Sequence, residues 1–315
     1  MRVLSQRRLG GPEVLEVVEV ERPRPRADEV LVRVHAVGVN AVDRLARSGA
    51  SPFFGDPPFV LGRDVSGVVV RAGRDVTAFR PGDEVFAMTG GGGYAEYVTV
   101  RADHAAPKPA SVDHVHAAAA PTACLLAWQA LVGVGRVGPG SRVLVHAAAG
   151  GVGHIAVQIA KVEGAYVIGT ARADKHGFLR TLGVDEPLDY TTTDFALTVR
   201  GVDIAFDLVG GDYGPRSVAT LRPGGLLVSA ALDDLGLSPD EAAVRGARFE
   251  PVAVRPSGSV LGKAAALMAA GRLRPHVLAV LPLEEAGKAH EMGATGRTQG
   301  KIVLTVTEED RAPGL

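Results

Sequence analysis

Two rhythms of apolar and polar positions divide the chain. Over residues 1–115 the apolar positions come in short alternating runs. EVLVRVHAVGV (29–39) predicts a strand, and VLGRDVSGVVVRAG (60–73) and GDEVFAM (82–88) predict short β runs cut by Gly, Pro and Asp. GGGGYAEYVTV (90–100) reads as a glycine turn entering another strand. Short strands at this spacing predict a small barrel-like domain. From about residue 117 the period lengthens. Residues 117–132 predict one long apolar helix, and SRVLVHAAAGGVGHIAVQIAKVEG (141–164) predicts a continuous apolar strand, a glycine loop and a helix with one apolar side. Further strands at 165–171, 186–190, 202–210, 224–232 and 248–254 alternate with helices, 174–183 among them. That alternation is the pattern of a doubly wound parallel sheet. From about 257, helices at 259–273 and 283–294 precede a terminal strand at 300–306. No internal repeat recurs at a fixed period.

Composition narrows the class. A length of 315 residues suggests two domains, and 46% hydrophobic with 22% charged residues is a globular balance. The net charge of −1, with no long run of Lys or Arg, argues against nucleic acid or an anionic membrane as partner. Two uncharged stretches, 117–135 and 143–160, reach the length of a membrane span. Pro121 interrupts the first, and His146, Gly150, Gly151, Gly153 and His154 punctuate the second, so both read as buried α/β core. The single cysteine, Cys124, excludes an intrachain disulfide, and the N-terminus MRVLSQRRLGG has no apolar h-region. A reducing, cytoplasmic setting is the expectation.

The most informative motif is AAAGGVG (147–153), directly after a buried strand and opening a helix. A dinucleotide-binding turn needs a small residue where the chain reverses, a bare backbone where it meets the pyrophosphate, and a small residue where helix packs on strand. Ala148, Gly150 and Gly153 stand at that spacing, with Gly151 and Val152 completing the loop. The strand before, the helix after and the next strand all agree with it. An NAD site places Asp or Glu about 20 residues further on, to hold the ribose 2′-hydroxyl. Here that stretch is GTARADK, without a carboxylate at the strand tip. Arg172 and Lys175 would instead pair an ester phosphate, and Tyr190, at the end of the third strand, would add a hydroxyl. NADPH is therefore favoured over NADH. Asp174 is the counter-signal, and reads better as a helix N-cap.

With these pieces in place the chain resembles the medium-chain dehydrogenase/reductase superfamily, in its zinc-free quinone oxidoreductase (zeta-crystallin-like) branch. The resemblance is carried nearly end to end by GPEVLEVVEVERPRP, VHAVGVNAVD, LGRDVSG, PGDEVFA, GGYAEYV, PTACLLAWQAL, VLVHAAAGGVGHIAVQIAK, FLRTLGVDEPLDY, FDLVGG and GRTQGKIVLTV. It implies an α/β protein with a GroES-like β-rich catalytic domain (1–118 and 257–315) and an inserted Rossmann domain (119–256), with the active site in the cleft. Zinc-dependent members carry a Cys near the VGVN segment and a His-Glu pair at LGRDVSG; here VNAVD and Gly62-Arg63-Asp64 stand there, and the four-cysteine lobe is missing. No metal is expected. His114 and His116, two apart on a helix, would point to different sides, and His146 reads as packed.

The resemblance also assigns residues. It points to Asn40 beside the nicotinamide, and Asp43 is the nearest candidate acid, a capping carboxylate being its simpler alternative. Leu45 stands where some relatives carry Tyr, which leaves solvent as a proton source. Thr122, Val209 of FDLVG, Ser229, Ala230, Gly300 and Lys301 would touch the cofactor, a strand-edge charge being the alternative for Lys301. Cys124 reads as a small packing residue. Phe53, Phe54 and Tyr94 are candidate substrate-pocket walls or core. The leading expectation is an NADPH-dependent, zinc-independent reductase of quinones or α,β-unsaturated carbonyls, forming a homodimer through the strand at 248–254. One rival keeps the chemistry on an enoyl thioester, with Arg44 and Arg47 as a basic mouth for a phosphopantetheine arm. The other is a protein that binds NADPH without turnover.

Overall fold

The computed structural model describes residues 1–51, 55–232 and 235–306. It divides into two compact units, Met1–Thr122 with Pro256–Leu315, and Ala123–Arg255.

The first unit is built on a seven-stranded sheet. Its order is Val277–Pro282, Lys301–Thr305, Glu29–Val39, Asp64–Ala72, Glu84–Met88 and Ala105–Pro107, with Tyr97–Arg101 paired to the first half of Glu29–Val39. A three-stranded sheet of Glu16–Glu19, Arg2–Gln6 and Phe59–Val60 accompanies it. Glu29–Val39 pairs with three strands and is buried on both faces, so its apolar residues run together instead of alternating strictly. Val32, Val34, Val65, Leu61, Tyr94, Ile302 and Leu304 form the core here. The ladders place Gly38 opposite Asp64 and Val39 opposite Ile302. That register brings the residues just beyond, Asn40 and Lys301, to the same end of the sheet as Asp64. Gly38 has no room for a side chain, because a Cβ would lie 2.4 Å from the Ala118 carbonyl oxygen.

The second unit is a six-stranded parallel sheet in the order Glu186–Asp189, Tyr166–Ala171, Arg142–Val145, Val202–Asp207, Leu221–Ser229 and Arg248–Pro251. This is the Rossmann order 3-2-1-4-5-6. Leu144, Ile168, Ala205, Leu227 and Phe249 fill one layer of its core with Phe195 and Val218. Each Leu, Ile, Val or Phe among these contributes on the order of 1.5–3 kcal/mol by leaving water. All six strands run the same way, so the loops after Val145, Ala171, Asp189, Asp207 and Ser229 emerge along one edge.

The long helix expected at 117–132 is not continuous. His114–Ala118 ends before Pro121, a new helix spans Pro121–Trp128, and a π turn covers Gln129–Val134. Pro121 lacks the N–H that an uninterrupted helix would use and its ring would collide with the carbonyl four residues back. Asp113 caps the first piece, accepting from His116 N at 2.7 Å. Among the described residues no helix is long and apolar enough to cross a membrane.

Candidate active site

In the parallel-sheet unit, the strand Arg142–Val145 leads through a turn into the helix Gly153–Val162. Ala147 takes a left-handed φ of 47° to reverse the chain, and Gly150 N donates to its carbonyl at 2.8 Å. Ala148 is buried and packs towards Gly169 of the neighbouring strand, where a Cβ would already lie 3.0 Å from the Ala148 methyl. This helix has no side-chain cap. The amides of Gly151, Val152 and Gly153 donate to no acceptor among the described residues. Three unfilled donors at the positive end of a helix dipole fit a phosphate.

The register pairs Ala171 with Asp189, so Arg172 and Tyr190 follow as neighbours. Arg172 Nε donates to the Tyr190 hydroxyl at 3.3 Å. Lys175 closes the 3-10 turn Ala173–Lys175 immediately after. Asp174 lies inside that turn, not at its cap, which corrects the N-cap expectation: Arg172 holds the cap position, and the side-chain acceptor for the first amide of the turn comes from a neighbouring strand. A different carboxylate does the ordering. Asp189 accepts from Ala173 N at 3.2 Å and from Thr191 N and Oγ1 at 2.9 and 2.7 Å, and these bonds hold it below the usual carboxylate range.

Further along the same edge, Asp207 is wholly buried and organises two loops. Its Oδ1 accepts from the amides of Val209 and Gly210 at 2.8 and 3.1 Å, and its backbone carbonyl from Ala230 N at 2.9 Å. Ser229 donates its hydroxyl to Asp207 Oδ2 at 3.3 Å and is itself buried, so what it can offer a ligand is backbone position. His146 bonds Thr170 and Ser217, and burial pushes its imidazole down to about 3, keeping it neutral.

In the β-rich unit a single carboxylate gathers three of the residues singled out above. Asp64 Oδ1 accepts from Thr122 N at 3.0 Å and Thr122 Oγ1 at 2.5 Å. Its Oδ2 accepts from Asn40 Nδ2 at 3.0 Å and lies 3.4 Å from Lys301 Nζ. Lys301 Nζ also donates to Asn40 Oδ1 at 2.5 Å. Lys301 is thus buried within this cluster instead of standing as a strand-edge charge. Gly300, with φ 69°, lets the chain turn tightly beneath His276, whose carbonyl a Cβ would approach to 2.2 Å. Sequence reading missed Asp64 as a participant. The available signal was a lone carboxylate in an apolar strand, which needs a buried partner.

Asp43 is corrected from candidate acid to capping strut. It completes a capping box, Oδ2 accepting from Asn40 N at 2.8 Å, while Oδ1 accepts from Gly62 N at 3.1 Å, and no part of it reaches solvent. Burial raises its carboxyl from 3.8 to about 6, against the lowering effect of those two amides. The folded state therefore holds this proton where the unfolded state has released it. Stability from this group falls as pH rises from about 4 through 6, by roughly 3 kcal/mol, and the penalty is complete above that. Asp43→Asn should lose this component: denaturant titrations at pH 4.5 and 7 should differ less in the variant than in the wild type, and equal differences would refute the assignment.

Tyr94 is likewise corrected from a pocket wall to core. It is wholly buried, with its hydroxyl 3.0 Å from His290 Nε2, and Arg47 Nε donates to His290 Nδ1 at 3.2 Å. Arg47 also donates to the Gly10 carbonyl at 2.6 Å, which removes it from any basic mouth for a phosphopantetheine arm. Phe53 and Phe54 lie outside the described residues.

Comparison with known proteins agrees with this architecture. Residues 26–110 match the alcohol dehydrogenase GroES-like domain and 182–304 the zinc-binding dehydrogenase family. Among the described residues, no group of three or more His, Cys, Asp or Glu is placed to hold a metal ion. The quinone oxidoreductase of Sus scrofa is 33% identical over 310 residues, covering 92% of this chain and 94% of that protein. The crystal structure of Escherichia coli quinone oxidoreductase complexed with NADPH superposes with a TM-score of 0.90 at 29% identity, over 97% of this chain and 100% of that one. A structure described as an NAD-dependent alcohol dehydrogenase also reaches 0.90, at 35% identity over 98% and 100% of the two chains. With a GroES-like unit, a Rossmann unit and relatives of this kind, the chain belongs with the quinone oxidoreductases of the medium-chain dehydrogenase/reductase superfamily, oxidoreductases that use a nicotinamide cofactor.

Proposed function

We propose that the protein reduces quinones or α,β-unsaturated carbonyls with NADPH and without a metal ion. The observation that carries this reading is the turn at 147–153, whose three unfilled amides face the same sheet edge that bears Arg172, Lys175 and Tyr190. The amides of Gly151, Val152 and Gly153 would hold the pyrophosphate, and Arg172 with Lys175 the ester phosphate. When bound, the reduced nicotinamide supplies the hydride. Asn40 orients the reacting groups. The proton follows from solvent, since Leu45 offers none. The balance is one hydride to the β-carbon or quinone and one proton to the resulting anion.

Metal independence is supported by the donor set. Asp64 is already saturated by Thr122, Asn40 and the Lys301 ammonium, and a cation set there would lie against that ammonium. Cys124, the single cysteine, is buried. The outermost strand Arg248–Pro251 supports a homodimer through that edge.

Purified protein with NADPH should reduce a 1,4-quinone and a simple enone at rates unchanged by a chelator. A strong preference for a crotonyl thioester would move the assignment to an enoyl-thioester reductase. No NADPH oxidation with any acceptor would overturn it.

A further inference from the structure

Asn40 is the one asparagine in the chain. Its amide oxygen and nitrogen are nearly the same size, so packing alone cannot choose between the two flip states; its hydrogen-bond partners must. Here they are two opposite charges. Oδ1 faces the Lys301 ammonium at 2.5 Å and Nδ2 faces the Asp64 carboxylate at 3.0 Å. A flipped amide would set N–H against ammonium and oxygen against carboxylate, two repulsive contacts in place of two charge-assisted bonds. The ions are shielded from water, with side-chain exposures of 4% for Lys301 and 0% for Asp64, so screening is weak.

Asp64 is itself immobilised. Thr122 holds Oδ1 twice, which turns Oδ2 towards Asn40 and Lys301. Asp43 fixes the backbone of Asn40 through the capping box. What the amide keeps for a ligand is an Nδ2 hydrogen held loosely by the Gly38 carbonyl at 3.5 Å.

From this geometry we infer that Asp64 and Lys301 form a positioning pair: they lock the Asn40 amide in one orientation and act on the reaction through it, without touching substrate or cofactor. The role rests on the reading that Asn40 serves the hydride transfer proposed above. Direct contact between Lys301 and the cofactor is the competing role, since the third Nζ hydrogen has no acceptor among the described residues.

A single asparagine makes the lock visible without turnover. Selective 15N labelling of asparagine gives one side-chain amide pair. In the wild type its two protons should be well separated and exchange at least about tenfold more slowly than a free amide. Lys301→Met and Asp64→Leu, neither of which adds an asparagine, should collapse the separation and the protection, and Lys301→Arg should keep most of both. NADPH affinity of Lys301→Met should stay within about threefold, while kcat falls by about 30-fold with little change in KM. Unmoved amide signals in both variants would overturn the inference, and so would a loss of NADPH affinity beyond about tenfold in Lys301→Met with the amide unmoved. Should Asp64→Leu fail to fold, Lys301→Met decides, because it leaves Asp64 with its bonds to Thr122 and Asn40. A wild type that binds NADPH but reduces no acceptor sinks the proposed reaction, and the amide spectrum still decides the lock.

Discussion

Changing Arg172 and Lys175 together to glutamate is expected to raise the dissociation constant for NADPH by at least about 100-fold while leaving that for NADH within about threefold. The two nucleotides differ by one ester phosphate, so only groups that meet it can separate them. Arg172 follows the second strand of the parallel sheet and Tyr190 the third, and the register sets them side by side with a bond of 3.3 Å. Lys175 follows in the next turn. The nearby carboxylate, Asp189, is occupied by three donors, Ala173 N, Thr191 N and Thr191 Oγ1, which leaves it little capacity to hold a ribose hydroxyl. Glutamates would replace two attractions by two repulsions at this point alone. Arg172 is exposed and Lys175 half-buried, so the effect should shrink as salt is raised. Fluorescence titration of both nucleotides at two ionic strengths checks the size and the origin. Equal weakening of NADPH and NADH would place the phosphate elsewhere.

The fold was legible because its signals are local. Continuous apolar runs separated by helical stretches name a parallel sheet before any contact is known, and the strand Glu29–Val39 was read to the residue. The break at Pro121 was legible too, since the ring forbids a continuous helix, yet the run of alanines around it masked the boundary. The β-rich site was legible only in part. Asn40, Thr122 and Lys301 were each named singly, through resemblance. Their meeting at Asp64 joins positions 237 residues apart in the chain for the Lys301 contact, and no local period encodes that. Asp207 was hidden for the same reason: it lies within a motif read for its strand and loop, while its bonds reach Ser229, 22 residues on. Tyr94 misled because an aromatic after four glycines resembles a pocket wall; its partner His290 lies 196 residues away.

These two buried carboxylates share a physical logic. Each is wholly buried and each is saturated by donors from separate segments, Asp64 in the β-rich unit and Asp207 in the parallel-sheet unit. Burial of a charge is tolerable only with such partners, so the cost of exposing any partner is high and the segments are held together. Loops that must present backbone or amide groups in a fixed direction gain from such an anchor more than from apolar packing, which is not directional.

The second large effect is expected at Gly153. A Cβ built there lies 2.2 Å from the Ala147 carbonyl oxygen and 2.8 Å from Ala148 Cα, both backbone atoms of the reversing turn. Neither can rotate aside, so helix and strand must separate or the turn must open. Gly153→Ala should lower stability by about 2–3 kcal/mol, and Gly153→Val by more. Separation of helix from strand also turns the amides of Gly151 and Val152 away from a common point. NADPH affinity should therefore fall at least about 100-fold even at temperatures where the variant remains folded. Gly262 is the internal control. It lies within the helix Gly258–Ala269 with no heavy atom within 4 Å of a built Cβ. Gly262→Ala should instead stabilise the protein by roughly 0.5–1 kcal/mol, through the lower entropy of the unfolded chain, and leave NADPH binding unchanged. Denaturant titration and calorimetry of the two alanine variants together separate a general penalty for filling a glycine from one confined to the nucleotide turn. If Gly153→Ala bound NADPH as the wild type does, the close approach of helix to strand at this turn would not be what the nucleotide requires.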